Sequence, residues 1–184
     1  MQLPVHTPIT EENAARLRVV EEHLRCENAH DLAGIMATFG DEAEYHDTSW
    51  AEHHNGRAAV QSYYLDALSA LPDMRIDMQN CLVTDEAVVL EVSINGTHLG
   101  PWRGLPATGR TVQFSLCGIF RFSSNGKLAS ETIYYDRASV MRQIGLYHEP
   151  IGMMGRLATA LSHPMTVALA FARKLRRRDD RSLK

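Results

Sequence analysis

The period of the apolar positions changes part-way along this chain. From residue 10 to about residue 71 they recur every three or four residues, and from residue 74 to 136 they alternate, which predicts helices first and strands afterwards. Thr10 is placed to cap a helix reaching about Glu27, with Glu11 and Glu12 in its first turn and Leu17, Val20 and Leu24 on its core stripe. Leu32, Ile35, Met36 and Phe39 mark a second, short helix that Gly40 ends. Beyond it, Ala43, Tyr45 and Asp47 share one face of an extended run, and Glu44 and His46 share the other. A loop is expected from Thr48 to Gly56. A third helix then covers about Arg57 to Leu71, with Val60, Tyr64 and Leu68 inward; of the adjacent Tyr63 and Tyr64, spacing favours Tyr64 for the core.

Four strands follow, Met74 to Val83, Ala87 to His98, Thr111 to Phe122 and Lys127 to Asp136, separated by turn-rich segments. In the third of these, Phe114, Leu116, Gly118, Phe120 and Phe122 form an apolar face in which Gly118 leaves a gap. Asp136 caps a short helix from Arg137 to Ile144, terminated by Gly145. Helices followed by a meander give an α+β fold: a curved antiparallel sheet bent as a cone around three N-terminal helices, with an apolar interior suited to a hydrophobic small molecule. The expected organisation is a cone domain over residues 1–148 and a basic C-terminal helical extension over 149–184.

Composition changes this picture little. A content of 45% hydrophobic and 22% charged residues is that of a globular protein, and a net charge of −3 gives no general attraction to nucleic acid. Cys26, Cys81 and Cys117 are an odd number without metal-type spacing, which fits a reducing compartment. The start MQLPVHTPIT lacks the basic start and apolar run of a secretory signal, so the expected location is the cytoplasm. No phosphate loop or dinucleotide fingerprint appears, and no cofactor is expected. The tail carries an apolar run, Met165 to Phe171, leading into the basic stretch Arg173 to Arg178, with Pro164 in the first helical turn. Packing with a solvated basic end is the favoured reading; weak contact with an anionic membrane surface is the alternative.

Asp47 is the main candidate for chemistry. On a cavity face its carboxylate is a poised base; at a strand end followed by Thr48 and Ser49 it equally suits an Asx turn that bonds its own backbone. His23 lies at the edge of the first helix's stripe and can reach a pocket rim. Glu91 sits mid-strand, where it either activates water or faces solvent or a subunit interface. His46, His53 and His54 are close in sequence but match no familiar ligand spacing, so no metal site is expected.

Several motifs carry a family resemblance: Gly96-Thr97-His98-Leu99-Gly100, the run Gly104 to Arg110, Asn125-Gly126-Lys127 and Gln143-Ile144-Gly145-Leu146. With them the chain, over roughly Ala15 to Tyr147, resembles the nuclear transport factor 2-like cone, and within it the SnoaL-like polyketide cyclases and the ketosteroid isomerases. The resemblance places Asp47 where the isomerases hold their proton-shuttling carboxylate, His23 where they keep an oxyanion-hole tyrosine, and Tyr64 where a second tyrosine supports it. Two departures accompany it. Gly118 stands where the isomerases have a protonated aspartic acid and the cyclases a histidine, and Ile133 where the cyclases have an acid/base aspartate, with Glu131 and Tyr135 two positions either side.

The resemblance implies an enzyme that abstracts a proton next to a carbonyl of a polyketide- or steroid-like molecule, leading to isomerisation or ring closure. Asp47 would be general base and acid, His23 oriented by Tyr64 would stabilise the enolate, and Tyr45, Leu116, Gly118, Phe120, Ile133 and Tyr135 would hold the substrate. The alternatives are a hydrophobic-ligand-binding cone without chemistry, and an epoxide or ester hydrolase using Asp47 or Glu91. A homodimer through the outer sheet face is expected from the resemblance alone.

Overall fold

The structure, a computed structural model, describes residues 10–147 and 152–169. Helix α1 (Glu11–Asn28) starts at Thr10, whose hydroxyl accepts from Asn13 N at 3.1 Å. Its buried face is centred on Val20, His23 and Glu27, so two polar side chains occupy the line that apolar spacing assigned to Leu17 and Leu24. Helix α2 (Leu32–Thr38) is capped by Asp31. It passes directly into strand β1 (Phe39–Asp47), so Gly40 lies within the strand and not in a turn.

The expected loop after β1 contains a strand of its own, β2 (Glu52–Asn55), paired antiparallel with β1. Helix α3 (Arg57–Ala70) follows, and then the meander β3 (Arg75–Val83), β4 (Ala87–Thr97), β5 (Thr111–Phe122) and β6 (Leu128–Tyr135). Asp136 caps α4 (Arg137–Gln143), accepting from Ser139 N at 3.1 Å.

The fold is α+β, a curved sheet of six strands with helices against it. Strand order is β2-β1-β6-β5-β4-β3. The meander is antiparallel as expected, but β1 runs parallel to β6, so the sheet is mixed. Local hairpin rules could not reveal that pair, because it joins the first and last long strands of the domain. Val20, Ile35, Val60, Leu90 and Leu128 form the core, and the inner faces of β1 and β6 bring Tyr45 beside Glu131 and Asp47 beside Ile133.

Contacts divide the chain into one unit ending at Ile144 and a second beginning at Gly145, against an expected boundary at residue 148. The second unit contains α5 (Gly152–Ser162) and a helical stretch over 164–169 that opens at Pro164. The basic run Arg173 to Arg178 lies outside the described residues. No helix among the described residues is long and apolar enough to cross a membrane.

Candidate active site

A cavity of about 120 Å³ occupies the interior of the first unit. Most of its wall is apolar, including Leu90, Val92, Ile94, Phe114, Leu116 and Phe120. Glu27, Tyr63, Tyr64, His98, Glu131 and Tyr135 supply polar atoms.

Glu131 is the most consequential of these. It projects inward from β6 between Tyr45 of β1 and Phe120 of β5, and is 4% exposed. Tyr64 donates its phenolic hydrogen to Oε2, and His23 Nε2 lies 3.4 Å from the same oxygen. Among the described residues nothing hydrogen-bonds to Oε1. A buried carboxylate is costly unless paired, and this one is held by a phenol and an imidazole.

The protonation of His23 follows from its neighbours. Thr38 donates its hydroxyl to Ile35 O at 2.6 Å, so its oxygen accepts from His23 Nδ1 at 2.8 Å. Tyr64 donates to Glu131, so its oxygen, 3.0 Å from Nε2, accepts there as well. With an acceptor at each ring nitrogen, the pocket favours the imidazolium form of His23. Burial alone would push its pKa down, but the charges of Glu27 and Glu131 outweigh burial and the net shift is upward. Glu27, one helical turn along α1, lies 3.7 Å from Nε2. Burial raises its pKa to about 7, with His23 opposing and Glu131 adding to the rise. Two carboxylates thus flank one imidazolium, and in such pairs the environment separates an acid from a base.

Asp47 forms a second cluster. It is fully buried, yet it stands behind the cavity wall and not on it. Its Oδ1 accepts from Ser49 N at 3.1 Å and Trp50 N at 3.3 Å, which is the Asx turn. Its Oδ2 accepts from Tyr63 at 3.2 Å, Tyr135 at 3.3 Å and Arg103 at 3.3 Å. Burial raises its pKa, with Arg103 the first of several groups acting against the rise. Arg103 comes from the tip between β4 and β5, also pairs with Glu52, and lies over the Trp50 ring at 4.4 Å. Every lone pair of Asp47 that a base would need is engaged by these donors.

His98, the residue after β4, is 1% exposed and lines the cavity. Its Nδ1 lies 3.1 Å from Thr108 Oγ1 and 3.4 Å from Thr108 N; the backbone N–H can only donate, so Nδ1 accepts and the ring hydrogen belongs on Nε2. That Nε2 is buried and has no hydrogen-bond partner among the described residues, although unsatisfied buried donors are rare and costly.

Residues 17–144 match the family model of the SnoaL-like polyketide cyclases. The chain belongs to the SnoaL-like polyketide cyclase family. Solved structures with the same fold include a SnoaL-like candidate polyketide cyclase from Jannaschia sp. CCS1 (17% identity, TM-score 0.66, covering 77% of this chain and 97% of that one). Also similar are AclR, a candidate hydroxylase from Streptomyces galilaeus (21%, 0.63, 72% and 96%), and IdmH, a candidate polyketide cyclase from Streptomyces antibioticus (21%, 0.59, 71% and 98%).

Within this SnoaL-like cone the residues singled out from sequence are redistributed. Tyr45, Tyr64, Leu116, Gly118, Phe120, Ile133 and Tyr135 line the cavity. Asp47 and His23 are buried behind it; Tyr63 and Tyr135 stand between Asp47 and the cavity, and Tyr64 and Glu131 between His23 and the cavity. Tyr63 also reaches the cavity, because neighbouring helix positions about 100° apart can both border a concave wall. The gap at Gly118 is closed from inside: a β-carbon there would meet the Phe120 ring at 3.1 Å. Glu91 is exposed on the outer sheet face beside Val89, Cys117 and Tyr134, which removes it as a water-activating group of the cavity. Sequence spacing noted Glu131 as sharing the face of Ile133 but gave it no role. His98 was legible only as part of a motif.

Proposed function

We propose that this SnoaL-like protein is an enzyme that removes a proton next to a carbonyl group of a hydrophobic, polyketide- or steroid-like molecule, leading to isomerisation or ring closure. The observation that carries this reading is Glu131: a carboxylate on the wall of an apolar cavity, with one oxygen held by Tyr64 and the other unengaged. A carboxylate so placed is desolvated and oriented, as proton abstraction from carbon requires.

Glu131 takes the proton, and the His23 imidazolium beside it holds the carboxylate in place. The Glu27 carboxyl, partly protonated near neutrality, can return a proton at a neighbouring position, since the acidic and imidazole atoms of His23, Glu27 and Glu131 all lie within 4.8 Å of one another. The unpartnered Nε2 hydrogen of His98 is the donor for the substrate oxygen on which charge develops. This moves the base from Asp47 to Glu131 and gives His98 the oxyanion role expected of His23. Asp47 positions Tyr63, Tyr135 and Arg103.

The test is deuterium incorporation from heavy water into a panel of hydrophobic ketones whose binding has been established. Wild-type protein is expected to catalyse exchange, and Glu131→Gln to lose it by about 10² to 10⁴-fold, the usual cost of a positioned acid/base. Exchange retained in Glu131→Gln but lost in Asp47→Asn would return the base to Asp47. Silence across ligands that bind would make the cone a binding protein.

A further inference from the structure

The hairpin of β1 and β2 carries a group of side chains that the acid/base chemistry does not use. Along β1, Tyr45 and Asp47 point inward, which leaves Glu44 and His46 on the outer face. The antiparallel register sets His46 opposite His53, and their imidazoles stack with centroids 4.0 Å apart and planes inclined at 18°. His54 points to the other face, towards Tyr45 and Tyr63. The three histidines that are close in sequence therefore separate into a facing pair and one outsider.

Glu44 completes the pair. Its Oε2 lies 3.2 Å from His46 Nε2 and 3.6 Å from His53 Nε2. A tetrahedral ion with bonds of about 2.0–2.1 Å spaces its ligand atoms about 3.3 Å apart, which these two separations match; binding requires the stacked rings to turn so that both Nε2 lone pairs, now nearly parallel, converge on one ion. The three ligand atoms all fall within 4.8 Å of one another. Two imidazole nitrogens and one carboxylate oxygen suit a borderline ion such as zinc, and the partly exposed setting leaves a fourth position to water.

We propose that Glu44, His46 and His53 form a divalent transition-metal site of the zinc class on the outer face of this hairpin. β2 is a four-residue strand at the edge of the sheet, with few ladder bonds of its own. A metal shared between the strands would clip it to β1 one position from the facing pair Asp47 and Glu52, whose carboxylates hold Arg103. The site is independent of the acid/base reading, because none of its three ligands touches the cavity.

The experiment uses the full chain stripped with chelator and titrated with Zn²⁺ by calorimetry at neutral pH, and with Co²⁺ by absorption. A single equivalent of Zn²⁺ is expected to bind and to raise the thermal midpoint. His46→Ala, His53→Ala and Glu44→Gln should each weaken binding by about 10-fold or more, since altering even an outer-shell partner commonly costs that much. His54→Ala should leave the affinity unchanged. Bound Co²⁺ should show visible bands without a thiolate charge-transfer band. The ligands are exposed enough for all three variants to fold, which their metal-free melting curves would verify. Unchanged stoichiometric binding in the His46→Ala/His53→Ala double variant, or no binding up to millimolar Zn²⁺, would overturn the proposal.

Discussion

Tyr64 donates a hydrogen bond to Glu131 inside a largely apolar wall, and in doing so turns its oxygen toward His23 Nε2 at 3.0 Å. One hydroxyl thus fixes both the orientation of the carboxylate and the charge of the imidazole. Tyr64→Phe removes this link without changing the shape of the ring. It should cost about 1.5–3 kcal/mol, the range for a hydrogen bond to a charged group, measured by urea denaturation. Exchange activity should fall with it, because Glu131 loses the contact that aims it.

The pH dependence of stability has a definite sign. Glu27 titrates at about 7 in the folded state, above its ordinary value of 4.5. Between these values the native chain holds a proton that the unfolded chain has released, so stability falls as pH rises from about 4.5 to about 7 and levels off above. The imidazole of His23, also raised, acts in the same direction from 6.5 upward. Chemical denaturation from pH 5 to 8 should show this decline, and Glu27→Gln should flatten its lower part. Above neutrality the loss of the Glu27 proton should also slow turnover in any reaction that needs the proton returned.

Asp47→Asn should separate structure from chemistry. The amide can still accept in the Asx turn, but it leaves Arg103 with Glu52 as its remaining acidic partner and weakens the bonds from Tyr63 and Tyr135. Breaking a buried pair costs about 3–5 kcal/mol when the remaining charge has no other partner. With Glu52 retained, a smaller loss is expected. Proton exchange should fall far less than in Glu131→Gln. Parallel stability and exchange measurements on the two variants check this.

His98 should act on binding. His98→Leu removes the free Nε2 donor, and with it a buried polar atom that has no partner among the described residues. The unliganded variant should be as stable as wild type or more so, while affinity for carbonyl-bearing ligands drops by about 10-fold, the value of one hydrogen bond. Ligands of the same shape without the oxygen should bind the variant and wild type alike. Fluorescence titration with such matched pairs is the measurement.

Much of this fold was readable from local signals. Thr10 and Asp136 announced their helices by capping chemistry, and alternation in β5 gave the inward face from Phe114 to Phe120 correctly. β2 escaped because Glu52-His53-His54-Asn55 has no apolar alternation; it is a strand only because β1 lies beside it. Asp47 was recognised as buried, but whether its tip reaches the cavity depends on Tyr63 and Tyr135 standing in front. Glu131 looked like the neighbour of a missing aspartate because spacing along β6 does not show that Tyr64 and His23 converge on it from two helices. In each case the unread part is long-range: the residues were visible, and what faces them was not.

The parallel pairing of β1 with β6 also governs when this site can exist. Asp47 and Tyr135, which meet through a hydrogen bond, are 88 residues apart in the chain. Closing so long a loop costs entropy before any contact repays it, whereas β3, β4 and β5 can join through neighbouring hairpins. The order of events this favours is a meander first and the strand carrying Glu131 and Tyr135 docking onto β1 afterwards. A chain still emerging from the ribosome would bury hydrophobic surface well before Glu131 could meet Tyr64 and His23, so the site would arrive only with a finished domain.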